Sequence, residues 1–435
     1  MAFLAVSSNS IWLNRSLSFR ESRIEYPLSA LEHRIGMEIT SKSHSTVVQA
    51  RPVFEERLSI VSPEGLPGKE FLRDVEKILV SGRLTNGAFV REFEAAAAAY
   101  LGVPHCVAVS SCSIGLALTL RALGLHGEVI LPSFTFHATA HCALWNSLEP
   151  VFADCDPSTF CILPGAVRAQ ISAKTAAILA VHVFGHPAPV SELDEIAAQY
   201  NLRVIYDAAH AFGSKIHETH VGSSGAAEVF SFSPTKLVVA GEGGLITTRD
   251  GVLAERLRAA RNYGDTGNYD PELPGLNGRM SEFHAALALR GLDSLEARIA
   301  RRNQIRIRYE ERLGRIPGLR FQKTSAHHRS TCKDFCVLVD EAEFGCSRDQ
   351  LFRSLMGANI EVKQYFWPPV HRQKIYREIW DKRPLPITDC VSERILNLPI
   401  YSSLQDSDVE KICDAILELH EHSISSRRLR PQNRT

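Results

Sequence analysis

From residue 105 the chain alternates short, continuous apolar runs with stretches whose apolar residues recur every three or four positions. HCVAVS (105–110), EVILP (128–132), EPVFAD (149–154), AAILAVHVFG (176–185), RVIYDAA (203–209), AEVFSFS (227–233) and GLITTR (244–249) read as strands. SIGLALTLRALGL (113–125), FHATAHCALWNS (136–147), SELDEIAAQYN (191–201, with Ser191 as cap) and GVLAERLRAARNYG (251–264) read as helices. The strands are apolar throughout instead of alternating, so both of their faces are covered. That pattern predicts an α/β domain around a mostly parallel sheet of seven strands flanked by helices.

The pattern changes near residue 290. GLDSLEARIARRNQIRIRYEERLGRI (291–316) predicts one long charged helix. An isolated strand DFCVLVD (334–340) and helices SRDQLFRSLMGAN (347–359) and DSDVEKICDAILELHEH (406–422) follow, which describes a smaller C-terminal α+β domain. The expected division is an N-terminal extension over 1–51, a large domain over 52–295, a small domain over 296–422 and a basic tail over 423–435. The extension is rich in Ser and Arg and poor in acids. It reads as a disordered or targeting segment, or as sequence preceding a start at Met37.

Lys plus Arg equals Asp plus Glu, 49 of each in 435 residues, so charge gives no case for nucleic acid or an anionic membrane. No apolar run reaches the length of about 18 residues that spans a bilayer. Ten cysteines without a C-x-x-C pair fit reduced thiols and a cytoplasmic location.

Ligands of open α/β sheets bind beyond the carboxyl ends of strands. After strand 105–110 comes SSCSIG, small and hydroxyl residues opening a helix, where free N–H groups suit a phosphate or Ser111 or Ser113 simply caps. After EVILP come Phe134 and Phe136; an aromatic at that strand end can cover a flat ring, and at least one of the two is expected in the core. RVIYD ends on Asp207, a carboxylate that needs a partner there. Lys236 follows 29 residues later in SFSPTKLVVAGEGG (231–244), where desolvation makes a lysine a nucleophilic amine. A phosphate nest, an aromatic, an acid and a lysine in that order are the parts that pyridoxal 5'-phosphate requires. His137 and His141 in HATAH and the cysteines of CKDFC (332–336) lack a metal-ligand pattern, so no metal is expected.

Several stretches resemble the DegT/DnrJ/StrS family of sugar aminotransferases, which have the fold type I architecture of aspartate aminotransferase. They include GRLTNGAFVREFE (82–94), VSSCSIGLALTLRALGL (109–125), EVILPSFTFHATAHCAL (128–144), YDAAHAFGS (206–214), SFSPTKLVVAGEGGLITT (231–248), GLNGRMSEFHAALALRG (275–291) and QYFWPPVH (364–371). The resemblance covers roughly residues 52–420. It implies that Lys236 forms the Schiff base and shuttles a proton, and that Asp207 pairs with the pyridine nitrogen. His210 would lie by the ring hydroxyl and Phe136 on the ring. Ser113, the backbone of Ile114 and Ser231 would hold the phosphate. Asn277 would reach the cofactor of the neighbouring subunit in a homodimer. Lysine at position 236, instead of the histidine of the dehydrating branch, implies transamination from an amino acid such as L-glutamate to a keto-sugar carried on a nucleotide. A keto-cyclitol or aminohydroxybenzoate precursor as acceptor, and a regulatory protein without turnover, are the rival readings.

Overall fold

The computed structural model describes residues 52–63, 68–380 and 383–428, all within one unit that begins at Val47. The expected extension over 1–51 lies outside the described residues.

Seven strands form the main sheet: β1 (His105–Val109), β2 (Glu128–Pro132), β3 (Glu149–Ala153), β4 (Thr175–Val181), β5 (Arg203–Asp207), β8 (Ala227–Ser231) and β9 (Gly244–Thr248). The two-residue strands β6 (Lys215–Ile216) and β7 (Thr219–His220) lie between β5 and β8 in the chain and pair with each other outside that sheet. The order across the main sheet is β1-β9-β8-β5-β4-β2-β3. The five strands β8, β5, β4, β2 and β3 run parallel, and β9 is antiparallel to both β8 and the edge strand β1. The expected mostly parallel sheet is present, with each strand within two residues of its reading except β4, where HVFG leaves the strand as a single turn of 3-10 helix. All five residues of β8 and of β9 are buried, which is why these runs show no alternation.

The reversed direction of β9 decides where its residues end up. Gly244, its first residue, sits opposite Val109, the last of β1, and opposite Ser231, the last of β8. Asp207, the last of β5, aligns with Val181 at the end of β4 and with Val229. The carboxyl edge therefore gathers the ends of β1, β8, β5 and β4 beside the glycine-rich turn. A Cβ on Gly244 would come within 2.6 Å of the Cys112 backbone nitrogen, so no larger residue fits where β9 meets the Cys112–Ala122 helix.

Helix Ala88–Leu101 begins after Gly87, which has no capping side chain. Glu282 caps it from a distance, accepting from the N–H groups of Gly87, Phe89 and Val90 at 2.8, 2.9 and 3.1 Å.

Of the long charged stretch, Gly291 and Leu292 end the helix Glu282–Leu292, and a second helix, Leu295–Leu313, forms most of the rest. The second buries Leu295, Ile299, Arg302, Ile305, Tyr309 and Leu313, one face at three- and four-residue spacing. Two of its half-buried arginines face the last helix, Asp406–Arg428: Arg301 meets Asp406 at 2.7 Å, and Arg308 meets Glu410 at 3.1 Å. That last helix continues six residues into the expected basic tail, and 429–435 lie outside the described residues.

DFCVLVD is not isolated. β12 (Phe335–Val339) is the centre of a second sheet, antiparallel to β10 (Leu319–Phe321) and to β13 (Ile395–Leu398); the short β11 (His328–Arg329) pairs with β6 instead. LRF and ILNL are too short to show a period. Helix Val190–Tyr200 starts one residue before Ser191, with Pro189 at the cap position and no side-chain cap.

Candidate active site

A cavity of about 370 Å³ opens at the carboxyl edge of the main sheet. Lys236, Asp207, Phe136, His210, Ser113 and Ser231 all line it. These six were singled out from sequence, and the fold brings them together from four strand ends.

Lys236 lies on the loop between β8 and β9. The loop neck is closed by Phe232 N–H donating to the Gly243 carbonyl (2.9 Å) and Ala240 N–H donating to the Phe232 carbonyl (2.8 Å). Leu237, Val238 and Ala240, the apolar residues after the lysine, are buried in the core and anchor the loop. The lysine is thus a polar group on a rigid apolar foundation. Desolvation, and then the charge of Lys333, pull its ammonium down from 10.5 to about 8, against the opposing pull of Asp334, Cys112 and Asp207. In the cofactor-free protein, modification of Lys236 by an amine-directed acylating reagent, followed by mass spectrometry, is expected to rise with pH through a midpoint near 8. Lys333→Met should move that midpoint upward, because a repelling charge is gone and Asp334 loses its partner. A midpoint at the ordinary lysine value would contradict this reading of the site.

Asp207 is buried at the end of β5. Thr139 Oγ1 donates to its Oδ2 at 2.7 Å, and the Ala209 N–H donates to its Oδ1 at 3.1 Å. Burial raises its carboxyl pKa, opposed first by the Thr139 bond. Cys112 Sγ lies 3.9 Å from Oδ1, and burial followed by the Asp207 charge pushes this thiol well up. It stays protonated and acts as a weak donor.

His210 stacks on Phe184, its centroid 6.2 Å away, and its pKa falls well below the usual range through burial and then Lys236 and Lys333. It is a neutral imidazole. Phe136 is 53% exposed and offers a ring to the cavity, whereas Phe134 is buried against Phe160, Phe184 and Phe366. At least one of the two was expected in the core, and Phe134 is the one found there.

Two of the sequence candidates do not line the cavity. The Ile114 N–H donates to Ser111 Oγ at 3.2 Å, so Ser111 is the helix cap and uses the group expected to face a phosphate. Asn277 is exposed, bridged to Asn262. Tyr365, from the QYFWPPVH stretch, also lines the cavity, whereas His371 at the end of that stretch does not. His371 instead engages Ser133 Oγ (2.6 Å) and Asp389 (3.2 Å). His182 borders the cavity with both ring nitrogens occupied, by the Ala188 N–H at 2.8 Å and Glu228 at 3.1 Å. Lys333 and Asp334 also line the cavity and were not anticipated.

The sequence profile of the DegT/DnrJ/EryC1/StrS aminotransferase family matches residues 67–417. The chain belongs to that family. It is 36% identical over 359 residues to a dTDP-4-amino-4,6-dideoxy-D-glucose transaminase of Escherichia coli, covering 80% of this chain and 95% of the relative. It is 33% identical to the spore coat polysaccharide biosynthesis protein SpsC of Bacillus subtilis (strain 168), covering 82% of this chain and 96% of that protein. Among solved structures, DesI with its TDP-sugar product superposes with a TM-score of 0.82 at 36% identity, over 87% of this chain and 97% of that one. S. venezuelae DesV, in complex with a ketimine intermediate, gives a TM-score of 0.77 at 32% identity, over 81% of this chain and 94% of that one. This chain is a sugar aminotransferase, with the fold type I architecture expected from its sequence.

Proposed function

We propose that this enzyme moves the amino group of L-glutamate to a keto-deoxysugar carried on a nucleotide, using pyridoxal 5'-phosphate bound in the carboxyl-edge cavity. The observation that carries the reading is the meeting of Lys236 and Asp207 in one cavity, an amine with lowered pKa and a buried carboxylate fixed by Thr139.

The residues fit the cofactor. Asp207 is an acid placed to pair with a protonated ring nitrogen, and that positive charge would relieve its burial. Phe136 offers a face to the ring. Ser113 and Ser231 offer hydroxyls to the phosphate at the start of the Cys112–Ala122 helix, where the dipole favours an anion. When bound, the cofactor supplies a carbonyl that takes up amines and a ring that accepts electrons. The chain's own part is proton transfer and orientation. Lys236 Nζ, free as the base, removes the proton from the donor's α-carbon and returns one in the second half of the reaction. Neutral His210, which lines the cavity, would offer a hydrogen bond to the ring hydroxyl without adding charge. Cys112 and Thr139 hold the Asp207 carboxylate in place.

Asn277, exposed and outside this cavity, is the residue we assign to the cofactor of a partner subunit, which makes the active unit a homodimer. A nucleotide-linked acceptor is supported by the dTDP-sugar named for the E. coli relative and the TDP-sugar bound by DesI. The SpsC likeness supports a role in polysaccharide biosynthesis. Among the described residues no helix is long and apolar enough to cross a membrane.

The test is a half-reaction. Holoenzyme mixed with L-glutamate alone should lose the visible band of its bound cofactor and release one equivalent of 2-oxoglutarate per site. An unchanged band with no keto acid would remove glutamate as the donor.

A further inference from the structure

The cavity contains a second pair of charges, Lys333 and Asp334, which set the charge around Lys236 but carry no proton in the transfers above. Lys333 and Asp334 both line it, with side chains only 6% and 8% exposed. Lys333 Nζ donates to Asp334 Oδ1 at 2.8 Å. The other carboxylate oxygen, Oδ2, is buried and has no hydrogen-bond partner. The backbone beneath the pair is fixed. The Lys333 N–H donates to the Phe184 carbonyl (3.0 Å), Arg302 Nη1 donates to the Lys333 carbonyl (3.2 Å), and Thr331 Oγ1 donates to the His210 carbonyl (2.6 Å).

A buried ion pair gives little net stability, and apolar residues of similar size often serve as well or better. A buried acceptor without a donor is a further cost. Both costs are met here at the wall of a substrate cavity, on a backbone held rigid from three directions. A binding role accounts for that combination.

The unpartnered atom also selects the ligand. It accepts, so the ligand must bring a hydrogen. L-Glutamate offers carboxylates, which only accept, and its amine is committed to the reacting centre. A sugar ring offers hydroxyl groups. We propose that the Lys333–Asp334 pair reads a ring hydroxyl of the acceptor sugar, Asp334 Oδ2 accepting its hydrogen while Lys333 Nζ donates to a neighbouring ring oxygen. The inference rests on the nucleotide-sugar reading given above and names the residues that set specificity within it.

The experiment is calorimetric titration of the holoenzyme with dTDP-4-amino-4,6-dideoxy-D-glucose and with its 2-deoxy and 3-deoxy analogues. Wild type, Asp334→Leu and the double variant Lys333→Met/Asp334→Leu are compared. Wild type should bind one deoxy analogue about tenfold to a hundredfold more weakly than the parent sugar, the range for a hydrogen bond to a charged group. In both variants that ratio should collapse to roughly threefold or less, because the lost hydroxyl has no acceptor left to satisfy. Each ratio compares two sugars on one protein, so any effect of the substitutions on Lys236 or on folding cancels. Equal ratios in wild type and variants, or no discrimination by wild type, would overturn the inference. A wild type that reacts with glutamate and binds none of these sugars would overturn the nucleotide-sugar reading, and the inference with it.

Discussion

Lys236→Ala is expected to lower turnover by about 10⁴-fold or more, the scale on which enzymes fail when a nucleophile that acts as a unit with the rest of the site is removed. Two losses combine. The amine that anchors the cofactor is gone, and so is the base that moves the proton at the substrate carbon. Burial of Leu237, Val238 and Ala240 keeps the loop in place without the lysine, so the variant should fold and retain the wild-type circular dichroism spectrum. Added small primary amines should restore part of the rate, since they replace a proton carrier and not a structural element. A variant within tenfold of wild type would mean that another group does the chemistry.

Asp207→Asn is expected to cost about 10²–10³-fold in kcat, the usual effect of removing one preorganised charge from the place where charge develops. Asparagine keeps the shape and still accepts from Thr139 Oγ1, now 2.7 Å from the carboxylate. What is lost is the negative charge that keeps a ring nitrogen protonated. The stability effect should run the other way. Burial raises the Asp207 pKa, so ionising this group costs the folded state in the absence of a positive partner. The cofactor-free variant should therefore unfold at a temperature equal to or above that of cofactor-free wild type, while holoenzyme stability falls. Thermal unfolding of both forms, with and without cofactor, separates the two effects. Parallel losses of activity and of cofactor-free stability would show that Asp207 is structural.

How much of this was readable in advance differs by element. The buried strands announce themselves because their apolar runs are continuous and end in punctuating residues, and Asp207 and Lys236 stand out at those ends as polar groups where burial would otherwise forbid them. Chain order then links them. Register is what the sequence does not carry: that Gly244 lies against both Val109 and Ser231 follows from β9 running backwards. The phosphate-facing role expected of the Ile114 backbone conflicts with the Ser111 cap, because a single hydroxyl three residues earlier competes for the same N–H. Lys333 and Asp334 were hidden in CKDFC, where the cysteines drew attention to a metal spacing that does not exist. They reach the cavity only through long-range contacts, the Lys333 N–H to Phe184 and Thr331 to His210. β10 and β13 were missed for a simpler reason: strands of three and four residues are too short to display a period.

The central claim is transfer of nitrogen from glutamate to a nucleotide-linked keto-sugar by way of Lys236. The most direct measurement incubates the holoenzyme with L-glutamate carrying heavy nitrogen and dTDP-4-keto-6-deoxy-D-glucose, then follows the sugar nucleotide by mass spectrometry. The account predicts an amino-sugar nucleotide bearing the heavy isotope, formed in step with 2-oxoglutarate and absent with Lys236→Ala. Release of 2-oxoglutarate without label in any sugar nucleotide, or labelled product formed equally well by the alanine variant, would contradict it.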